Sequence, residues 1–332
     1  MPRHNRRIPQ WVGAIALALG ILAPGARIPM FQEDPVAQVG DAFAAQPLLV
    51  VTTTQDLAAI AREIAGDRAR VESLAKGYQD PHFVDAKPSL LVKIRKADLF
   101  VEVGRDLEVG WVPGLLQGAR NPRVQSGGPG FVDASNGVAI LEQGAKAGRE
   151  EGDVHPLGNP HHWLDPANGL VIAANIRDGL ARVAPGDRAY FETRYADFDR
   201  RLRERMAGWK KEAEAMGLTG LKVVTYHRSW PYFAAAFGLR VVNYVEPRPG
   251  VPPAPRHIQD LTEQMKSEHV PLLIVEPYFD PKLPARVAQN AGAALVILPP
   301  SVGATPEAKD YFSLFDAQLA AIRKALAGRR AP

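Results

Sequence analysis

The sequence predicts an α/β protein of two Rossmann-like lobes, each built on a mainly parallel sheet and joined by one long rigid helix. Two observations favour this fold class. Short apolar strands alternate with amphipathic helices on both sides of the middle of the chain, and one amphipathic stretch, residues 187–216, is much longer than the others. Such alternation is typical of βαβ units with parallel strands. At 332 residues the chain also exceeds one average domain.

The first 46 residues precede this pattern. Three arginines, an apolar run over residues 11–23 and small residues around Ala26 predict an export signal over 1–26, and residues 27–46 are predicted to be a linker. The apolar run is shorter than the roughly 20 residues of a membrane span. Removing the signal takes away three arginines and no acidic residue, so the net charge falls from +4 to +1. A nearly neutral chain argues against a nucleic-acid partner, which needs a concentrated basic surface.

Cysteine is absent from the sequence. Its absence excludes disulfides, thiolate metal sites and thiol nucleophiles. It also excludes a lipid anchor attached to a cysteine at the signal cleavage site. We therefore expect an exported, soluble and monomeric protein in the periplasm.

The N-terminal lobe is predicted over residues 47–184. It contains three predicted strands, at 48–53, 71–74 and 99–103. Its predicted helices cover residues 56–65, 88–96 and 169–183, with a further short helix among the glycines and prolines of 104–129. Pro88 suits the first turn of its helix because the ring needs no hydrogen-bond partner there. Residues 142–153, which are charged and contain glycine, are predicted to form an exposed loop.

The long helix is predicted over residues 185–217. Apolar side chains recur there every three or four residues between charged ones. Pro185 and Gly186 end the preceding helix, Asp187 can cap the new one and Gly217 can terminate it. At 1.5 Å per residue this helix is about 45 Å long, so we interpret it as the connector between the lobes. A long surface helix within one domain is the alternative.

The C-terminal lobe is predicted over residues 218–332 and repeats the alternation. Its predicted strands cover residues 222–226, 239–245, 272–275 and 294–298, and its predicted helices cover 230–237, 256–268, 282–291 and 308–327. A proline-rich loop follows the second of these strands. In open parallel sheets, ligands bind outside the carboxyl ends of the strands, so polar side chains that follow strands are candidate ligands.

Three candidate ligands occupy such positions. His82 lies in a loop after a strand, His227 directly follows a strand, and Asp280 follows the strand at 272–275. His161 and His162 add a pair on a segment bounded by prolines, which bias it away from helix. Imidazoles and a carboxylate without sulfur suit Zn²⁺ and tolerate Mn²⁺ or Fe²⁺.

Several assignments stay open on spacing alone. Spacing does not choose between His161 and His162, and Asp280 is equally well explained as the N-cap of the helix that follows it. His155 lies in the charged loop region and could recruit a metal or have no role.

From about Leu48 to its end, the sequence resembles the metal-binding components of bacterial zinc and manganese ABC uptake systems. The resemblance rests on four stretches: Asp80-Pro81-His82, Pro160-His161-His162-Trp163-Leu164-Asp165, His227 followed by Tyr232-Phe233, and residues 276–280. The family pattern is Pro-His-x-Trp, so the resemblance implies that His161 is a ligand and that His162 fills the variable place. The implied ligand set is His82, His161, His227 and Asp280, with Glu276 competing for the last place. The family fold, two α/β lobes joined by one long helix, agrees with the fold predicted above.

The resemblance implies a binding protein, not an enzyme. It implies that Zn²⁺ is bound as the transported ligand in the cleft between the lobes and is delivered to an ABC permease. Manganese-selective relatives often have glutamate at the third position, so His227 favours zinc. Many zinc-binding members carry a histidine-rich loop, which residues 142–153 lack.

Three alternatives remain. A manganese or iron receptor would share this architecture. A zinc hydrolase could use Glu276 as its base, although the sequence contains no HExxH motif. A receptor for an organic solute could line its pocket with the same histidines.

Overall fold

The computed structural model describes residues 47–143, 155–248 and 250–330. The predicted signal and linker, and most of the predicted loop at 142–153, lie outside these residues. Among the helices that are described, none combines the length and the hydrophobicity needed to cross a bilayer.

Four parallel strands form the N-terminal sheet in the order β2-β1-β3-β4. The strands are β1 (Leu48–Thr52), β2 (Ala69–Ser73), β3 (Leu99–Glu102) and β4 (Phe131–Asp133). The helices of this lobe are α1 (Gln55–Ala65), α2 (Pro88–Lys96), α3 (Val112–Ala119) and α4 (Pro166–Val183). Strand β4 was not predicted, because three residues are too few to show an alternating pattern.

The long connecting helix is α5, which covers Arg188–Met216, 29 residues. A 3₁₀ turn, Pro185–Asp187, leads into it. Gly217 ends the helix with a left-handed backbone at φ 73°, a conformation that glycine adopts without steric cost.

The C-terminal sheet repeats the topology of the first, with four parallel strands in the order β6-β5-β7-β8. Its strands are β5 (Lys222–Thr225), β6 (Arg240–Tyr244), β7 (Leu272–Val275) and β8 (Ala294–Ile297). Its helices are α6 (Pro231–Phe237), α7 (Pro255–Ser267), α8 (Lys282–Ala291) and α9 (Tyr311–Arg330). The predicted fold class, two parallel α/β lobes and one long helix, is confirmed.

One hydrophobic core is shared by the two lobes. It includes buried side chains from β1 and β3, from β5 and β7, and from the helices α1, α4, α5 and α9. Two smaller cores lie on the remaining sheet faces, one under α2 and α3 and the other under α7 and α8. Because burial of apolar area is the main stabilising term of folding, the shared core joins the lobes through α5 and α9.

Hydrogen bonds also join the lobes directly. The carboxylate of Asp56, in α1, accepts hydrogen bonds from the hydroxyl of Ser301 and, at 2.9 Å, from the backbone N–H of Val302. Trp163 donates its indole N–H to the backbone oxygen of Pro300 at 2.9 Å. Tyr311 donates its hydroxyl to the backbone oxygen of Trp163 at 2.7 Å. These buried contacts hold the loop after β8 against the N-terminal lobe.

Candidate metal centre

Three histidines from three separate loops converge between the sheets. His82 follows β2, His161 lies just before a 3₁₀ turn (His162–Leu164) that leads into α4, and His227 follows β5. One potential ligand atom from each lies within 4.8 Å of the other two. All three residues are buried, with at most 8% of their surface exposed. The structure therefore brings together the three histidines that the sequence analysis selected.

The first two histidines are held by the same local arrangement, an Asp or Asn followed by Pro and His. Asp80 Oδ1 accepts a hydrogen bond from the backbone N–H of His82 at 3.0 Å and lies 2.7 Å from its Nδ1. Asn159 Oδ1 accepts from the backbone N–H of His161 at 3.0 Å and lies 3.1 Å from its Nδ1. One side-chain oxygen, two residues upstream, thus fixes both the loop and the imidazole ring.

The hydrogen bonds of Asn159 determine which nitrogen of His161 carries the proton. The Asn159 amide nitrogen donates to Glu142 Oε2 at 2.9 Å and to the backbone oxygen of Arg228 at 2.8 Å. Its oxygen is then the acceptor, so Nδ1 of His161 carries the hydrogen and Nε2 carries a lone pair. No other group in the described part of the chain forms a hydrogen bond with this buried Nε2.

Carboxylates orient the other two rings in the same way. Nδ1 of His227 lies 2.7 Å from Glu246 Oε2, and both side chains are buried. Burial raises the pKa of Asp80, but the hydrogen bond with His82 and the charge of His82 lower it. Together they outweigh burial, so the pKa of Asp80 lies below its usual value. A carboxylate can only accept, so each ring donates its Nδ1 hydrogen and leaves the Nε2 lone pair available.

The pKa values of His161 and His227 are shifted in opposite directions, although burial lowers both. Burial, followed by the neighbouring imidazoles, holds the pKa of His161 well below its usual value. Burial also lowers the pKa of His227, but the hydrogen bond with Glu246 and the nearby carboxylates raise it above its usual value. Protons therefore compete with a cation at His227 and not at His161.

A fourth imidazole lies against the triad. Nε2 of His155 is 3.1 Å from Nε2 of His82, and the ring centroids are 5.2 Å apart. Burial, followed by the neighbouring His82 and His227, lowers the pKa of His155 to about 3, so the ring is neutral at neutral pH. The role of His155 was open from the sequence, and the structure places this residue at the edge of the site. A cavity of 590 Å³ lies beside it, lined in part by His82, His155 and Trp111.

The two carboxylates considered for the fourth ligand lie in different surroundings. Asp280 is exposed, and its Oδ1 accepts a hydrogen bond from the backbone N–H of Lys282 at 3.0 Å. Glu276 is fully buried, and its Oε1 accepts from the indole N–H of Trp230 at 2.9 Å. Burial raises the pKa of Glu276 above its usual value. Within the described residues neither carboxylate joins the histidine cluster, so ligation by Asp280 stays a prediction.

His162 makes a different contact from its neighbour His161. Its Nε2 lies 3.0 Å from the backbone oxygen of Val103, just after β3, and the residue is fully buried. Burial lowers the pKa of His162 to about 4. This ring therefore packs the segment before α4 against the first sheet.

The residues present suit a divalent transition metal. Three imidazoles with Nδ1 held by oxygen acceptors would, once neutral, form a nitrogen-rich site of the kind that zinc favours. The orienting roles of Asp80, Asn159 and Glu246 were not predicted from the sequence. The repeated Asx-Pro-His pattern could have indicated the first two. Glu246 follows a different strand from His227, and no local pattern connects them.

Comparisons with known proteins agree with this geometry. A model of the family "ZnuA: Zinc-uptake complex component A periplasmic" matches residues 50–325. The zinc-binding lipoprotein AdcA of Streptococcus pneumoniae is 27% identical over 289 residues, which cover 83% of this chain and 55% of AdcA. The chain thus spans about half the length of that relative. The manganese ABC transporter substrate-binding lipoprotein PsaA of Streptococcus pneumoniae is 28% identical over 287 residues, which cover 84% of this chain and 89% of PsaA.

The fold also matches a solved structure. A crystal structure of ZnuA superposes with a TM-score of 0.69 and 23% sequence identity, and the match covers 85% of this chain and 100% of that one. At this identity the likeness concerns the fold alone.

Proposed function

The chain belongs to the periplasmic zinc-uptake component A family of solute-binding proteins, and we propose that it captures Zn²⁺ at His82, His161 and His227 and delivers it to an ABC permease. Members of this family bind their ligand and do not transform it. The zinc hydrolase alternative is therefore set aside, and the chain is a metal-binding component of an ABC uptake system.

The convergence of the three histidines carries the proposal. Each Nδ1 lies against an oxygen acceptor, so each ring turns an Nε2 lone pair toward the same small volume. In the described residues, the buried Nε2 of His161 has no hydrogen-bond partner. A buried lone pair without a partner costs about 1–3 kcal/mol, and a bound cation would remove that cost.

The ligand chemistry favours zinc over manganese. Imidazole suits zinc, whereas Mn²⁺ prefers carboxylate, carbonyl and water ligands. The three ligands on which the proposal rests are all nitrogen donors. Asp280 is the fourth ligand that the resemblance implies, and it would make the set more favourable to manganese. The manganese-binding relative PsaA makes Mn²⁺ the specific alternative.

We also propose that the protein acts as a periplasmic monomer. The relatives AdcA and PsaA are lipoproteins by name. The permease partner follows from the family role.

Metal analysis tests the proposed function. The protein is stripped with a chelator and titrated separately with Zn²⁺ and Mn²⁺, alongside His161→Ala and a control, His257→Ala. His257 lies in α7, where its Nε2 contacts the backbone oxygen of Tyr244 at 2.9 Å. We expect one zinc per chain, weaker manganese binding and loss of both metals in His161→Ala only. Stoichiometric binding that survives in His161→Ala contradicts the proposal, and tighter binding of manganese assigns the protein to the alternative.

A further inference from the structure

We propose that His155 is the fourth ligand of the zinc-loaded site and makes that site an all-imidazole one. The inference rests on the proposed function, because it assigns a further residue to the same metal. It concerns a histidine that the family resemblance does not assign and that the sequence left open.

The position of His155 is fixed by a tight turn. Its backbone oxygen accepts a hydrogen bond from the N–H of Gly158 at 2.9 Å, and Pro156 occupies the second position, where its fixed φ favours a β-turn. Gly158 has φ 100°, and a Cβ there would lie 2.2 Å from a methyl carbon of Ile140. The next residue, Asn159, holds His161. The turn therefore places His155 relative to the triad through a short, constrained piece of chain.

The distance between the two nitrogens fits a shared metal. Two ligand nitrogens at about 2.0–2.1 Å from a tetrahedral Zn²⁺ are about 3.3–3.4 Å apart. Nε2 of His155 and Nε2 of His82 are already 3.1 Å apart. His155 is not in the set of three histidines whose ligand atoms all lie within 4.8 Å of one another. The His82–His155 pair is thus close to the spacing of two zinc ligands, and His155 would join the site by a movement of its ring toward His161 and His227.

The tautomers explain how His155 can serve both with and without metal. Asp80 holds the hydrogen of His82 on Nδ1, so Nε2 of His82 is an acceptor and Nε2 of His155 is the donor in their contact. When Zn²⁺ enters, the His155 hydrogen passes to its Nδ1, and both Nε2 lone pairs become ligands. The ring stays neutral throughout, and one N–H···N bond is replaced by two nitrogen–metal bonds.

The observed place of Asp280 supports the same assignment. Its Oδ1 accepts a hydrogen bond from the backbone N–H of Lys282, the first residue of α8, and its side chain is exposed. Ligation through this oxygen would break that hydrogen bond, whereas ligation by His155 would replace only its contact with His82. An all-imidazole set would also increase the preference for zinc over manganese.

Paired variants test the assignment. Zn²⁺ and Mn²⁺ affinities are measured by chelator competition for His155→Ala, Asp280→Ala and the control His257→Ala. X-ray absorption at the zinc edge then counts the imidazoles in each zinc complex. We expect His155→Ala to weaken zinc binding about 10- to 100-fold. Losing a residue that only orients a ligand has an effect of this size, and losing a ligand should have at least the same effect. The imidazole count should fall from four to three, and manganese affinity should change much less.

Two results would overturn the assignment. Asp280→Ala could weaken zinc binding while His155→Ala leaves it unchanged, which would make Asp280 the fourth ligand. Alternatively, the imidazole count could stay the same in His155→Ala. A different result would contradict the proposed function itself, namely that His161→Ala retains metal. Melting curves of the metal-free variants show whether His155→Ala acts through the fold, and we expect no shift because this residue is only partly buried.

Discussion

Replacing Asp56 with asparagine should change how the stability of the protein depends on pH. Asp56 is fully buried between the lobes, and burial raises its pKa from 3.8 to about 7, although hydrogen bonds from Ser301 and Val302 lower it in part. The folded protein therefore binds one proton more than the unfolded chain between these two pH values. Asp56 contributes most to the free energy of unfolding below pH 3.8, where its carboxyl group is protonated in both the folded and the unfolded state. This contribution is lost as the pH rises toward 7, because unfolding then releases a proton. At about 1.36 kcal/mol per pKa unit, the loss amounts to roughly 4 kcal/mol.

Asparagine resembles the protonated acid. Its oxygen can accept from the N–H of Val302, and its amide can donate to the hydroxyl of Ser301. Asp56→Asn should therefore keep the contact between the lobes at every pH. The free energy of unfolding of the wild type, minus that of the variant, should fall by about 3 kcal/mol between pH 4 and pH 7.

Urea unfolding of the metal-free proteins, followed by tryptophan fluorescence at steps of half a pH unit, measures this difference. Asp260→Asn, on the exposed face of α7, controls for the loss of one negative charge. Parallel stability curves for wild type and Asp56→Asn would contradict a raised pKa of Asp56 in the folded protein, and so would a difference that rises with pH.

Two further predictions concern the site and the contact between the lobes. Glu246→Gln removes the charge that holds His227, so zinc affinity at pH 8 should fall about 10- to 100-fold. Because Glu246 also raises the pKa of His227, zinc binding by the variant should persist to lower pH than in the wild type. Chelator competition across pH measures both effects, with Glu268→Gln as the control, and an unchanged pH midpoint would contradict the assigned role. Gly77→Ala places a Cβ 2.0 Å from the backbone oxygen of Val302, so it should lower the free energy of unfolding by about 1–3 kcal/mol. Gly208→Ala, in α5 with open space around it, should instead raise it by up to about 1 kcal/mol. Urea unfolding measures the free energy of unfolding of both variants. The same change in Gly77→Ala and Gly208→Ala would show that the contact between the lobes is not tight.

Much of the fold could be predicted because its signals are local. The predicted bounds of α2, β7 and α8 agree with the structure residue for residue. Proline in the first turn and glycine or a polar residue at the ends mark these elements in the sequence. The short strand β4 escaped notice because it is defined by pairing with β3, residues 100–102, and not by a pattern of its own.

The candidate site was predicted in part for a similar reason. Histidines after strand ends could be identified from the sequence because parallel sheets place such positions together. The pairing of His227 with Glu246 depends on how β5 and β6 align. The contact of His155 with His82 joins residues 73 positions apart. Such contacts arise from tertiary packing, and hydrophobic periodicity carries no information about them.

Long-range ¹H–¹⁵N NMR spectra of histidine-labelled protein test whether His82, His161 and His227 bind zinc through Nε2. Spectra are recorded without metal and with one equivalent of Zn²⁺. We expect that His82, His161 and His227 keep their hydrogen on Nδ1 and that their Nε2 resonances move to metal-bound positions, while His257 is unchanged. Coordination through Nδ1, or zinc-dependent shifts in fewer than these three rings, would contradict it.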